Sequence, residues 1–225
     1  MDSRPARVAL LLLLILLLQG CDIVIRQVEE PPTPAPSPQP GSACAAVSVE
    51  RLQDWMADRF PRLEKQVAGG TVYLETPSIT NCDENRAYYR VRVGFQRRGF
   101  LIELGLFEDY FDLRYEADTG RVCVDLHSLL SSELLPKGVE EVGQEIKVAD
   151  VGPTTAKAYT EGLGMPAEAS EQFQEAVARV AMEGVSPEEQ GIGTEAAKIL
   201  MDWSVGDLLQ GFNSLLAGLI GACIP

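Results

Sequence analysis

The sequence predicts an α+β fold: an N-terminal helix packed on a five-stranded antiparallel meander, followed by a C-terminal helical segment. Three observations predict it. Apolar residues recur every three or four positions over 47–68. They alternate with polar ones over 71–127, and an Ala/Glu-rich helical composition takes over from 128. The domain order read from these shifts is 1–20, 21–46, 47–127 and 128–225.

Over 47–68, Val49, Leu52, Trp55, Met56, Phe60, Leu63 and Val67 share a helical stripe. Ser48 is placed to cap it, Val47 and Leu52 to form a hydrophobic staple, and Gly69-Gly70 to end it. Pro61 should kink or restart it. Strands are expected at about 71–79, 86–95, 100–107, 110–116 and 121–127. A register with Phe95 opposite Phe100 keeps Tyr89, Val91, Val93 and Phe95 on one face with Phe100, Ile102, Leu104 and Leu106. It puts Gln96-Arg97-Arg98-Gly99 in the loop and Leu106 opposite Phe111. It lines up Val93, Ile102, Tyr115 and Val122, and likewise Val91, Leu104, Leu113 and Val124, under the first helix. The outer face then carries Arg92, Glu103 and Arg114 in one row and Tyr88, Phe107 and Tyr110 in another. Helices are expected at 154–162, 167–183, 187–201 and 205–221, the last reading as a buried core helix. Helix followed by meander resembles the cystatin-like and NTF2-like arrangements, a likeness of fold that carries no function.

The first thirty residues bear on compartment. Arg4 and Arg7 precede an unbroken apolar run at residues 8–18. At ~1.5 Å per residue it spans ~16 Å, too short for a ~30 Å bilayer core, so it reads as a secretory signal. The run ends in Leu18-Gln19-Gly20-Cys21. This resembles the lipobox of bacterial lipoproteins. The resemblance implies cleavage before Cys21, a diacylglycerol on its thiol and a further acyl chain such as palmitate on the new amine. Asp22 resembles the inner-membrane retention signal of Gram-negative lipoproteins. Residues 31–40 hold six prolines. Such a run favours an extended spacer, a tether between anchor and folded part.

Four cysteines remain beyond the anchor: Cys44, Cys82, Cys123 and Cys223. Export favours disulfides, and the chain has no Cys-x-x-Cys pair and one histidine to suggest a metal. A helix of about thirty ångströms followed by a strand of similar length returns Cys82 toward Cys44. Cys44–Cys82 with Cys123–Cys223 is therefore favoured over the two other connectivities.

Charge narrows the function classes. The chain holds 19 basic and 33 acidic side chains, net −14, which argues against nucleic acid as a partner. Residues 50–100 carry nine basic and seven acidic side chains, while 101–225 carry seven and 22. An anionic bilayer would repel the acidic part, so the tether should hold it off the surface.

Eight of the fifteen aromatics lie within residues 88–115. Strands favour aromatics, so most should be core. Tyr88, Phe107 and Tyr110 are the candidate binding patch. Asp112 opposite Asp125, with Glu108, Asp109 and Asp118 nearby, suggests a calcium site only weakly, since Arg114 is a simpler neighbour. No metal or cofactor is expected. No Gly-x-Ser-x-Gly, His-Glu-x-x-His or P-loop pattern appears, and any nucleophilic system would rest on His127. No catalytic residue is assigned. The expectation is a lipid-anchored, non-catalytic binding or assembly protein facing out of the cytoplasm, held to the membrane by Cys21 and meeting an envelope protein. The alternatives are a carrier or sensor for a small apolar ligand, using a pocket between sheet and C-terminal helices, and a small carboxylate-dependent hydrolase.

Overall fold

Val47 ends a first short helix, and Ser48 starts the second. The computed structural model describes residues 42–127, 130, 133–152, 156–181 and 185–224, the side chains of 126, 127 and 181 excepted. The signal, the lipidation site Cys21 and the proline run lie outside the described residues. Helix α1 (Ala43–Ala46) begins at Ser42, whose side chain accepts from the Ala45 amide. Helix α2 (Val49–Arg59) begins at Ser48, whose hydroxyl accepts from the Arg51 amide. It buries Leu52, Trp55 and Met56.

The helix expected to reach residue 68 ends at Arg59. Pro61 cannot donate to the preceding turn, and the chain leaves the helical region at Phe60. Leu63 and Val67 then lie on a strand, β1 (Leu63–Val67). A spacing of four fits both helix and strand periods, so the stripe was ambiguous at its end. Strand β1 pairs with β2 (Gly70–Leu74), and β3 (Ser78–Asp83) continues along the same edge after an interruption containing Pro77.

The long ribbon of the sheet is β4 (Arg86–Arg97) with β5 (Phe100–Glu116). Strands β2 and β3 pair with successive halves of β4, and β6 (Arg121–His127) pairs with the end of β5. Strand β7 (Cys223–Ile224) closes against β6. The sheet is thus seven-stranded and antiparallel, not a five-stranded meander. The two strands expected at 100–107 and 110–116 are one strand, so Leu106 does not face Phe111.

The register differs from the expected one in two steps. A two-residue turn pairs Arg97 with Phe100, and Phe95 with Ile102. Parity is kept, because both partners shift together. Then Gly94 pairs with Glu103 but Val93 with Gly105, leaving Leu104 without a partner on β4. This bulge reverses the alternation. Ile102 and Leu104 face the core before it; Phe107, Phe111 and Leu113 face it afterwards. Phe100 and Leu106, expected in the core, are 64% and 42% exposed. The expected four-strand rows therefore break. Val93 and Val91 meet Gly105 and Phe107, though Tyr115 still pairs with Val122 and Leu113 with Val124. Arg92 lies opposite Leu106, and Arg114 opposite Cys123, so the alternating row with Glu103 does not form.

Gly94 has a visible reason. A Cβ there would sit 2.4 Å from the Tyr73 hydroxyl, because the Tyr73 side chain lies across its cross-strand partner. Gly138 has another: a Cβ would come 2.2 Å from the Glu103 carbonyl oxygen. That close approach seats α3 (Pro136–Glu145), a helix the sequence reading did not expect, on β5.

Helix α4 (Val148–Val151), α5 (Ala156–Leu163) and α6 (Ala167–Ala181) follow. The helices expected at 187–201 and 205–221 are one, α7 (Gly193–Ala217). Residues 187–189 form a turn. Helix α7 buries ten residues from Ala196 to Leu216, and Phe212 meets Phe60 and Tyr89 at ring-centroid distances of 5.0 and 6.4 Å. This helix, not the first, supplies the main cover over β1 and β2; α2 sits at the β3 edge. One apolar core runs from Ala43 to Ile224.

Candidate functional site

The outer face of the β4–β5 ribbon carries a ladder of directly opposed side chains. After the bulge, Arg86 pairs with Asp112, Tyr88 with Tyr110 and Arg90 with Glu108. Arg86 Nε donates to Asp112 at 2.9 Å, and Arg90 Nη2 lies 2.5 Å from Glu108. Between these ion pairs the two tyrosine rings lie 6.0 Å apart at 54°. The Arg86 guanidinium also lies 4.6 Å from the centroid of Tyr110, and its hydrogen bond to Asp112 raises its pKa further. Thr80 and Asn81 of β3 border the ladder, forming with it an open groove of about 590 Å³. Ion pairs thus flank two half-buried aromatic rings along this face.

The bulge separates the three residues of the expected patch. Tyr88 and Tyr110 become direct partners on the outer face, but Phe107 turns inward opposite Val91 and is 8% exposed. The space between sheet and α7 is occupied by Phe60, Tyr89, Phe111 and Phe212, all buried. Burial there pushes the Tyr89 hydroxyl well above the usual tyrosine range, with the Asp109 charge adding to the effect.

The acids proposed to oppose one another also separate. Asp112 lies opposite Leu126, not Asp125, and both Asp112 and Glu108 hold arginines. Arg114 pairs with Glu116 at 3.1 Å. Glu116, Cys123 and Cys223 bring ligand-type atoms within 4.8 Å of one another, but both sulfurs are spent on a disulfide and offer no thiolate. His127 ends β6, pairing through its backbone with Phe111.

The disulfides join Cys44 to Cys82 and Cys123 to Cys223, with Cα separations of 5.6 and 3.9 Å. Cys123 and Cys223 are directly opposed on β6 and β7.

Sequence reasoning missed one buried ion pair. Arg97, the last residue of β4, is 4% exposed. Its guanidinium donates to the Glu145 carbonyl and reaches Asp150 at 2.6 Å. Asp150 also accepts from the Lys147 amide at the start of α4. The expected register puts the residue in a four-residue loop; the tighter turn pairs Arg97 with Phe100 and draws it into the fold. Next to it, Tyr159 of α5 accepts a hydrogen bond from the Ala68 amide at 2.7 Å, and burial pushes its hydroxyl up to about 12.

No helix among the described residues is long and apolar enough to cross a membrane. The chain matches no family model, no curated protein and no solved structure.

Proposed function

We propose that this chain is a lipid-anchored, non-catalytic binding or assembly protein of the bacterial cell envelope, facing out of the cytoplasm. The observation that carries the reading is the coincidence of two features. A signal ending in Leu18-Gln19-Gly20-Cys21 precedes a fold whose four remaining cysteines are all paired. Paired cysteines belong to an oxidising compartment, and two or more acyl chains give stable anchoring where one is marginal. The opposed ladder from Arg86–Asp112 to Arg90–Glu108 is the surface we assign to an envelope protein partner. The filled interface between sheet and α7 supports this reading over a carrier for an apolar ligand.

Two measurements test it. Mass spectrometry of the N-terminal peptide should find acylated Cys21 at the new terminus; a free Cys21 thiol would remove the anchor. A photo-crosslinking residue in place of Tyr88, irradiated in intact envelopes, should give a reproducible protein adduct that the same residue at Glu189 does not. Equal labelling at both positions would remove the assigned contact surface.

A further inference from the structure

We infer that the tip of the β4–β5 hairpin, Arg98 to Leu101, is a wedge that inserts into a lipid interface. Phe100 and Leu101 are the most exposed large apolar residues described, at 64% and 65%. They are consecutive on a strand, so they point to opposite faces. Leu101 lies on the outer side with Tyr73 and Glu103, while Phe100 shares the side of Ile102. An apolar pair on opposite sides of a ribbon is not matched by one flat protein surface. It is matched by a medium that surrounds the tip, which is what acyl chains provide.

The turn itself carries a second observation. Arg98 and Gly99 have φ of 46° and 88°. Such a turn favours Asn-Gly, and a left-handed conformation is unfavourable for an arginine. A cation there fits a headgroup contact, since an arginine stem can cover apolar side chains while its guanidinium reaches phosphate. A Cβ on Gly99 would meet nothing within 4 Å, so the tip stands clear of the rest of the fold.

Chain length permits the contact. The described chain starts at the other end of β4, where the Ala43 and Cys44 amides donate to Asn85 and the Glu84 carbonyl. Twelve residues of β4 carry the ribbon about 40 Å from there to the tip. The segment between Cys21 and Ser42 reaches at most about 75 Å. That suffices for the tip to meet the same bilayer that holds the anchor. The insertion rests on the proposed anchor for its high local concentration of lipid, because two side chains alone bind weakly.

The test uses the full mature chain in intact envelopes, with benzoylphenylalanine replacing Phe100 and, in a control, Ile220, which is 53% exposed. Ile220 adjoins Gly221, whose amide bonds to Val124 toward the far end of β5. Irradiation should give a lipid adduct at position 100 several-fold above that at 220. A protein adduct as the main product at 100, whether to a second copy or to another protein, would overturn the proposal, as would labelling no stronger than at 220. Should Cys21 prove unacylated, the anchor fails separately. The same labelled chain is then coupled through the free Cys21 thiol to maleimide lipid in phosphatidylcholine vesicles, with and without phosphatidylglycerol, which restores the local concentration of lipid. Lipid adducts that fall about tenfold with Leu101→Ser keep the wedge, and their absence removes it.

Discussion

At its Arg86 end the β4–β5 ribbon is enclosed, while at its Gly99 end it runs out into solvent. The enclosed end is tied by the Cys44–Cys82 disulfide, by the Ala43 and Cys44 amides, and by the Leu113 amide donating to the Asn85 carbonyl at 2.6 Å. At the outer end β2 pairs with β4 as far as Gln96, and Arg97 is the last seat, turning back into the fold through Glu145 and Asp150. Beyond that seat, exposed apolar residues and a left-handed arginine follow one another. The difference teaches where cross-links and lipid contact are separated. One end carries the cross-links that hold the fold, with the opposed ladder on its outer face, and the other offers apolar side chains that the fold does not use.

The strongest way to break this comparison is at the enclosed end. The Cys44–Cys82 bond closes a separation of 38 residues. Chain entropy gives such a closure about 4 kcal/mol. Replacing both cysteines by alanine should lower the urea midpoint correspondingly. A loss below about 1 kcal/mol would show that hydrogen bonds alone hold that end.

The seat of the outer end comes next. Asp150→Ala leaves the Arg97 guanidinium buried beside one carbonyl. Asp150 is itself 23% exposed, so the loss belongs at the lower end of the range for broken buried pairs, about 3 kcal/mol. Adding Arg97→Met should restore much of it, because the unpaired charge is then gone. If the double variant is as unstable as the single one, the arginine contributes by packing against Gly69 and not as a charge.

Tyr159 provides a pH-dependent reading of the same end. Its folded pKa is raised, chiefly by burial, to about 12 from 10.0. Between these values the unfolded chain has lost the proton and the folded one keeps it. Stability is therefore fully present below about pH 10 and falls as pH rises toward 12, by roughly 2–3 kcal/mol. Tyr159→Phe should flatten that alkaline fall while costing about 1–2 kcal/mol at neutral pH, because the Ala68 amide loses its acceptor. An unchanged alkaline slope would assign it to Tyr89, whose hydroxyl is also raised by burial.

The α+β class and the helix start at Ser48 rest on local chemistry, and local chemistry is visible in a sequence. So is the adjacency of Cys44 and Cys82, although the path between them runs through α2, the β1–β2 hairpin and β3, and not through one long helix and a single strand. The bulge at Leu104 was not visible, and it decides the candidate surface. One unpaired residue moves Phe107 into the core and brings Tyr88 to Tyr110. Gly105 within a strand was the available signal, since a glycine there often marks a bulge. Arg97 escaped for a different reason. Its acceptors come from residues 145 and 150, and no local pattern announces a partner some fifty positions away.

The smallest expected effect sharpens the comparison most. If the outer end is kept for contact, its least comfortable residue should be replaceable to the benefit of stability. Arg98→Asn puts at the left-handed position a side chain that tolerates it, and removes no hydrogen bond or ion pair the structure assigns to Arg98. The thermal midpoint should rise by a few degrees, an effect of at most about 1 kcal/mol. Lipid labelling from position 100 should fall in the same variant, since the guanidinium is lost. A fall in midpoint would mean that Arg98 serves the fold, and the two ends of the ribbon would then differ in degree only.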